Sequence, residues 1–290
     1  IIFFKNNLDE IISIVKISKG LLFHDEDNLF NLFELKGKIF NIPFNFYHKN
    51  NFDNLNSKET SMIVKKLKLD ILNIHNIEKK NSNKGKNIIS FLNSKVNTNY
   101  KIEKDIIRFK SEDSKLKNSD VTYDAELSID PFELNANIHL DRYELNKFLN
   151  PNSILSSLIK TGLLFNKNIN LNTSITTNPH ERNKYYQKTK INFNIVDGKI
   201  NINKSRLINK KIGTVELNNS NLNFKKKKLV LNTDIAVNIK NSSELYFLLQ
   251  TNKKFRKPIK NILINLDYDF VSSLITFNNI KIDNQEINDD

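Results

Sequence analysis

The stretch KINFNIVDGKININKSRLINKKIGTVELNNSNLNF, residues 190–224, sets large aliphatic or aromatic side chains at every second position between Asn and Lys. Successive side chains of a β-strand point to opposite faces, so this spacing predicts strands with one apolar face and one polar face. Asp197-Gly198 occupies the place of a two-residue hairpin turn, in which both central residues need a positive φ angle. The stretch therefore predicts antiparallel hairpins that are apolar on one side only.

The same alternation recurs along most of the chain, from residues 40–46 to residues 275–282. Strands buried on both faces would read as continuous apolar runs, so clean alternation favours antiparallel strands with one solvated face. Cap and stop residues predict one helix over 150–162 and another that starts at Ser242, and a short third one is predicted around 141–149. The sequence predicts a mainly β protein whose long antiparallel sheet is curved and open like a groove, with two or three short helices.

Two polar segments interrupt the alternation. The segment 77–87 (IEKKNSNKGKN) is the most polar linker and is predicted to form a long loop in the first half of the chain. The four lysines at 225–228 fall between two apolar strands and predict a charged hairpin turn. A lipid-facing basic patch is the alternative interpretation of these lysines.

The net charge of +13 and the isoelectric point of about 9.5 raise the question of a nucleic-acid partner. Only five of the 45 basic residues are Arg, the residue that reads bases and grips phosphate with two parallel hydrogen bonds. A diffuse lysine surface suits anionic lipid head groups or simple solubility equally well. We therefore expect no nucleic-acid partner.

The chain carries no Cys, which excludes disulfides and thiolate metal sites and is compatible with any compartment. The longest apolar runs are far shorter than the roughly 18 to 20 residues of a membrane-spanning helix. Because the chain opens at Ile1 directly in an apolar stretch, we expect it to be a piece of a longer protein.

No catalytic constellation stands out in the sequence. The six Gly residues are scattered, and the five His residues show no metal-ligand spacing. Asp267 and Asp269 lie two residues apart and share one face of a predicted strand, but that face is opposite to Leu266 and Tyr268, which favours a solvated outer surface. We expect a protein that is not an enzyme and holds neither a cofactor nor a metal.

The apolar face of the predicted sheet needs a cover, because each exposed large aliphatic side chain leaves roughly 1.5 to 3 kcal/mol of burial unrealised. A second sheet, the few helices or a non-protein apolar ligand would each serve. Two or three short helices are too few for ten or more strands. The alternation leaves a closed sandwich and a groove filled by acyl chains as open alternatives.

Three segments, in order along the chain, carry a family resemblance. YDAELSIDPFELNANIHLDRYELNKFL (residues 123–149) reads as strand, Pro-Phe step, strand and short helix. A D-G hairpin and the element I-G-x-V-x-L-x-x-S-x-L follow within residues 191–241, and SSELYFLLQTNKKFRKPIKNILINLDYDF (242–270) completes the series. This succession resembles the C-terminal portion of the AsmA family, envelope proteins of Gram-negative bacteria whose relatives include TamB. Residues 34–46 resemble the family's upstream strands more loosely.

The resemblance implies a non-enzymatic protein of outer-membrane biogenesis that lies in the periplasm, held at the inner membrane by an N-terminal anchor absent from these residues. It implies phospholipid transport along an apolar β-groove between the inner and outer membranes. The implied partners are phospholipid acyl chains, the membrane and outer-membrane assembly proteins. Residues 119–290 are assigned to an AsmA-like C-terminal β region, and residues 1–118 to an N-terminal β-rich segment of the same elongated structure.

The alternation and the resemblance both direct attention to the apolar face. An open sheet would let acyl chains lie on its apolar side while head groups stay in water. A periplasmic β-scaffold that influences outer-membrane protein assembly without carrying lipid is the alternative function. The residues predicted to line a lipid groove are Ile191, Phe193, Ile195, Ile200, Ile202, Val215, Leu217, Leu229, Leu231, Ile235, Val237, Ile262, Ile264 and Leu266.

Overall fold

The computed structural model describes residues 2–5, 11–27, 29–39, 41–51, 57–77, 83–143, 164–167, 169–179, 183, 185–225, 228–270 and 272–287. The chain divides into two compact units, Ile1–Pro131 and Phe132–Asp290, called here the N-terminal unit and the C-terminal unit. Both units consist mainly of strands, and the predicted class, mainly β with an open antiparallel sheet and few helices, is confirmed.

The N-terminal unit is an antiparallel meander in which each described strand pairs with the next one along the chain. A 3-10 turn, Lys65–Leu67, joins its fifth and sixth strands. The strands are β1 (Ile2–Lys5), β2 (Ile11–Asp25), β3 (Phe30–Ile39), β4 (Ile42–Asn51), β5 (Ser57–Val64), β6 (Leu69–Ile77), β7 (Asn83–Phe91), β8 (Ser94–Glu103), β9 (Ile106–Leu116) and β10 (Ser119–Ser128).

The prediction of a loop over residues 77–87 is wrong for residues 83–87. Strand β7 begins at Asn83, and Asn87 pairs directly with Asn73 of β6. Strand β7 is hydrogen-bonded on both sides, to β6 and to β8, and this pairing outweighs the weak strand preference of Asn, Lys and Gly. Residues 78–82 lie outside the described residues.

The division between the two units falls after Pro131 rather than between residues 118 and 119 as predicted. Strand β10 begins at Ser119 and pairs with β9 as far as Ser128. Because this pairing ties β10 to the meander, its residues belong to the N-terminal unit.

In its described residues, the C-terminal unit holds a second set of strands and one short helix. Two short strands, β14 and β15, both pair with β13 on one side and with β16 on the other. The elements are β11 (Glu133–Asp141), β12 (Asn170–Asn178), β13 (Lys188–Val196), β14 (Lys199–Asn201), β15 (Arg206–Asn209), β16 (Gly213–Lys225), β17 (Lys228–Ile239), α1 (Ser242–Leu248), a 3-10 turn (Lys253–Phe255), β18 (Asn261–Asp269), β19 (Leu274–Ile282) and β20 (Gln285–Glu286).

Among the strands that the structure describes, one pair departs from the predicted antiparallel order. Strands β11 and β12 are parallel, in register from the pair Glu133 and Asn170 to the pair Asp141 and Asn178. A parallel pair needs a connection of roughly a dozen residues or more, and residues 142–169 supply it. Alternation of side chains is the same for both pairings, which is why the sequence pattern did not reveal this one.

Two local predictions are confirmed. Asp197 and Gly198 have φ angles of 51° and 70°, and Val196 pairs with Lys199 across this two-residue turn. A helix begins at Ser242, and the Asn241 side chain accepts hydrogen bonds from the first backbone N–H groups. The helix predicted over 150–162, and residues 144–149 of the third predicted helix, lie outside the described residues.

A buried apolar cluster of the C-terminal unit lies where β13, β14, β16 and β17 meet. Phe193, Ile195, Ile200, Leu222 and Leu229 form a buried cluster. The partly buried side chains packed against them are Leu164, Phe165, Ile169, Leu171, Ile202, Leu231 and Phe270.

Replacing Ile195 with Ala is expected to lower the free energy of unfolding by about 2–5 kcal/mol, because the lost side chain leaves a cavity in this cluster. Chemical denaturation of the full chain, followed by circular dichroism, measures the change. Val196→Ala is the matched control, since the neighbouring Val196 is 48% exposed whereas Ile195 is 0% exposed. Equal losses in the two variants would contradict this assignment of the core.

Candidate functional site

The predicted lining residues lie on one face of the C-terminal unit. Residues directly opposite each other on neighbouring strands share a face. Ile195 of β13 pairs with Ile200 of β14, which pairs with Leu222 of β16. The same face continues through Leu231 of β17 to Tyr268 of β18. The register therefore links apolar side chains across successive strands into one apolar face of the C-terminal unit.

A second line of contacts runs across the same face. Leu217 of β16 pairs with Ile235 of β17, and Ile235 pairs with Ile264 of β18. One step further along these strands, Val215 pairs with Val237 in the same way. Apolar side chains thus continue along the strands as well as across them.

A β-bulge in β16 keeps this face continuous. In a regular strand Leu217 and Leu222, five residues apart, would point to opposite faces. The pairing with β17 shifts register between Asn218 and Asn221, so both leucines face the same way. Between them, the side chains of Ser220 and Thr233 are buried and hydrogen-bonded to each other.

The predicted lining omits Leu222, because it lies five residues from Leu217 and strict alternation assigns it to the opposite face. The structure also adds Leu171 and Ile175 of β12, which pair with Ile195 and Ile191. The spacing Leu217-x-x-Ser220-x-Leu222 was the available signal, since an odd separation between apolar residues of one strand marks a bulge.

Burial divides the apolar face into two regions. Ile195, Ile200 and Leu229 are sealed inside the buried cluster and have no surface left for a ligand. In the other region the side chains remain only partly buried, and they are called here the open region. It consists of Val215, Leu217, Ile235, Val237, Ile262 and Ile264.

The opposite face of the same strands is polar and hydrogen-bonded. The amide of Asn232 donates to the Asp267 carboxylate at 2.6 Å, and Asn194 donates to Asn201 at 3.4 Å. Arg206 and Glu216 form an ion pair at 2.8 Å across β15 and β16. Asp267 therefore belongs to a polar outer surface, as the strand phase of Leu266 and Tyr268 predicted.

The chemistry of this polar face is that of structural pairing. A shallow depression of about 500 Å³ lies there, and Asp234, its one carboxylate, accepts a hydrogen bond from Asn219 at 2.7 Å. Within the described residues, no group of three or more His, Asp or Glu side chains is arranged to hold a metal ion.

The N-terminal unit repeats the two-faced design but carries a polar row across its apolar face. His48 Nδ1 lies 2.8 Å from Thr60 Oγ1, and His75 Nδ1 lies 3.0 Å from the Tyr100 hydroxyl. The rings of His75 and Tyr100 are stacked, with centroids 5.9 Å apart. Burial, and secondly the positive charge of Lys58, lowers the pKa of His75 below its ordinary value.

Comparison with protein-family models, with curated proteins and with solved structures found no match to this chain. Among the residues that the structure describes, none of the helices combines the length and apolar character of a membrane span. The geometry of the strands and the sequence resemblance therefore carry the functional argument.

The shifted pKa of His75 predicts a pH dependence of stability. Because the pKa of His75 in the folded chain lies below the unfolded value of 6.5, the unfolded chain binds a proton at this imidazole more readily than the folded chain does. The free energy of unfolding therefore has its full value above pH 6.5 and decreases as the pH falls below 6.5. Lys58 on β5 and Tyr100 on β8 are the titratable groups that face this imidazole.

Urea unfolding at a series of pH values between 7.5 and 5 tests this expectation. In His75→Gln the component of acid destabilisation that belongs to His75 disappears, whereas His24→Gln, a change at an exposed imidazole, serves as control. An unchanged pH profile in His75→Gln would refute the assignment.

Proposed function

We propose that the protein is a non-enzymatic envelope protein of the AsmA type, which carries phospholipid acyl chains on the apolar face of its C-terminal unit. The supporting observation is the open region, an in-register set of partly exposed aliphatic side chains that spans β16, β17 and β18. The opposite face of these strands is occupied by hydrogen-bonded Asn and Asp side chains. A ligand with a hydrocarbon part and a polar part matches this division.

The hydrophobic effect supplies the affinity in this proposal. Each methylene that leaves water is worth about 0.8 kcal/mol, and a partly exposed aliphatic surface gains in the same way when a chain covers it. Because the ligand is moved and not altered, no catalytic residue is needed. Continuity of the apolar surface matters more than any single contact, and the bulge in β16 maintains that continuity.

The cellular setting in the proposal comes from the sequence resemblance. It implies a periplasmic protein that is anchored to the inner membrane, with a part in outer-membrane biogenesis and in phospholipid transport between the two membranes. Outer-membrane assembly proteins are the further partners that it implies.

A β-scaffold that binds a partner protein is the second candidate function. Strand β20 pairs with Lys281 and Ile282, and Ile287 N–H donates to the Ile280 carbonyl, which leaves residues 274–279 of β19 with a described backbone partner on one side only. Leu274, Ile275 and Phe277 on this segment are each half exposed or more. An extended segment of a partner would add to such an edge through backbone hydrogen bonds.

Photo-crosslinking distinguishes these two functions. A photoreactive amino acid at Ile235 is expected to crosslink to phospholipid in the envelope of the producing cell, because Ile235 lies at the centre of the open region. Mass spectrometry of the crosslinked chain identifies the attached lipid.

Ala236 is the matched control, since it is the next residue of the same strand, is also partly buried and points to the polar face. The proposal requires lipid adducts from position 235 and few from position 236. Absence of lipid adducts at both positions, together with protein adducts from Phe277, would favour the scaffold instead.

A further inference from the structure

The connection between β17 and β18, residues 240–260, is an ordered lobe, called here the α1 lobe. Asn241 caps helix α1 by accepting hydrogen bonds from the N–H groups of Ser243 at 3.0 Å and Glu244 at 3.2 Å. Asn252 caps the following 3-10 turn by accepting from Lys254 N–H at 3.3 Å. Two side-chain caps in one connection indicate that its backbone conformation is well specified.

Side-chain hydrogen bonds connect different segments of the α1 lobe. The Tyr246 hydroxyl donates to the backbone carbonyl of Lys257, and Arg256 Nε donates to the carbonyl of Thr251 at 2.9 Å. These bonds join the helix, the 3-10 turn and the returning segment. The lobe therefore presents its remaining side chains from a fixed framework.

Three large apolar side chains of the α1 lobe point into solvent. Phe247 is 77% exposed, Leu249 is 62% exposed and Phe255 is 64% exposed. A framework held by caps and hydrogen bonds has no need of these side chains for its own packing. Three strongly exposed apolar side chains within nine residues of chain concentrate hydrocarbon on this lobe, where contact with an apolar partner would remove it from water.

The α1 lobe also carries several exposed cations. Lys240, Lys253, Lys254, Arg256 and Lys257 are all exposed, and none of them forms an ion pair with a carboxylate of the described residues. The ammonium of Lys254 lies 4.7 Å from the centre of the Phe255 ring. Glu244 is the one acidic residue between positions 240 and 260. The lobe therefore carries a local excess of positive charge beside exposed hydrocarbon.

We propose that the α1 lobe docks on a bilayer that contains anionic lipids, with Phe247, Leu249 and Phe255 inserted among the head groups. Exposed aromatic and aliphatic side chains flanked by lysines are the chemistry of proteins that bind membrane interfaces. A second copy of the lobe is a poor occupant, because it would bring a like excess of positive charge. This docking is independent of whether lipid lies on the apolar face of the C-terminal unit.

Flotation of the full chain with lipid vesicles tests the proposal. We expect binding to vesicles of phosphatidylcholine with 30% phosphatidylglycerol, weaker binding to phosphatidylcholine alone, and a decrease as salt is added, because surface charges are screened. Equal binding to both vesicle types, or no binding to either, would overturn the proposal. Absence of vesicle binding together with binding of single-stranded DNA that is lost in Phe255→Ser would assign the lobe to nucleic acid instead.

Substitution of the apolar side chains tests insertion. The triple variant Phe247→Ser, Leu249→Ser and Phe255→Ser is expected to weaken vesicle binding by about tenfold or more, because the hydrocarbon that enters the interface is removed. The matched control replaces three similarly exposed apolar residues of the N-terminal unit, in the triple variant Leu22→Ser, Leu92→Ser and Ile129→Ser. Equal weakening by the two triple variants would overturn the proposal.

Charge reversal tests whether the lysines of the α1 lobe contribute to vesicle binding, and the N-terminal unit offers a matched control. Lys253→Glu with Lys254→Glu alters the 3-10 turn of the lobe, and Lys65→Glu with Lys66→Glu alters the 3-10 turn of the N-terminal unit in the same way. The first pair is expected to weaken binding to anionic vesicles by at least about fivefold per cation, and the second pair much less. Lipid that copurifies with each variant is measured in parallel, so loss of docking and loss of bound cargo remain distinguishable.

Discussion

Cross-strand register is the constraint on which the rest of this structure depends. Side chains alternate between faces with a period of two, so a slip of one residue would move the whole apolar set to the opposite face. Bulges keep the apolar side chains on one face. One bulge lies between Asn218 and Asn221 of β16. A register shift between β18 and β19 likewise keeps Phe277 and Ile280 on the same face. Without these irregularities the apolar face would end partway along its longest strands.

Asparagine gives the polar face its own cohesion. Its short amide both donates and accepts, so neighbouring Asn residues can join strands side chain to side chain. Asn223 donates to Asn232 at 2.5 Å, and Asn232 donates to Asp267 at 2.6 Å, which links β16, β17 and β18. Asn side chains thus have a structural use on this face.

The C-terminal unit exposes hydrocarbon in two physically different ways. On the sheet, the open region around Ile235 is a continuous wall of aliphatic side chains supported by strand pairing. On the α1 lobe, Phe247 and Phe255 stand apart from the sheet and are accompanied by cations. The first arrangement suits a chain-like ligand laid along the strands, and the second suits a flat anionic surface.

The sequence by itself determined the mainly β class, the Asp197-Gly198 hairpin, the helix that starts at Ser242 and the two-faced character of the strands, because each depends on local geometry with a fixed period or a required φ angle. Tertiary structure alone decided that β11 and β12 run parallel, that Leu222 joins the apolar face, and that Ile195 is sealed while Ile235 is open. Those outcomes depend on which strands become neighbours and on what packs over them, and alternation along one strand carries no information about either.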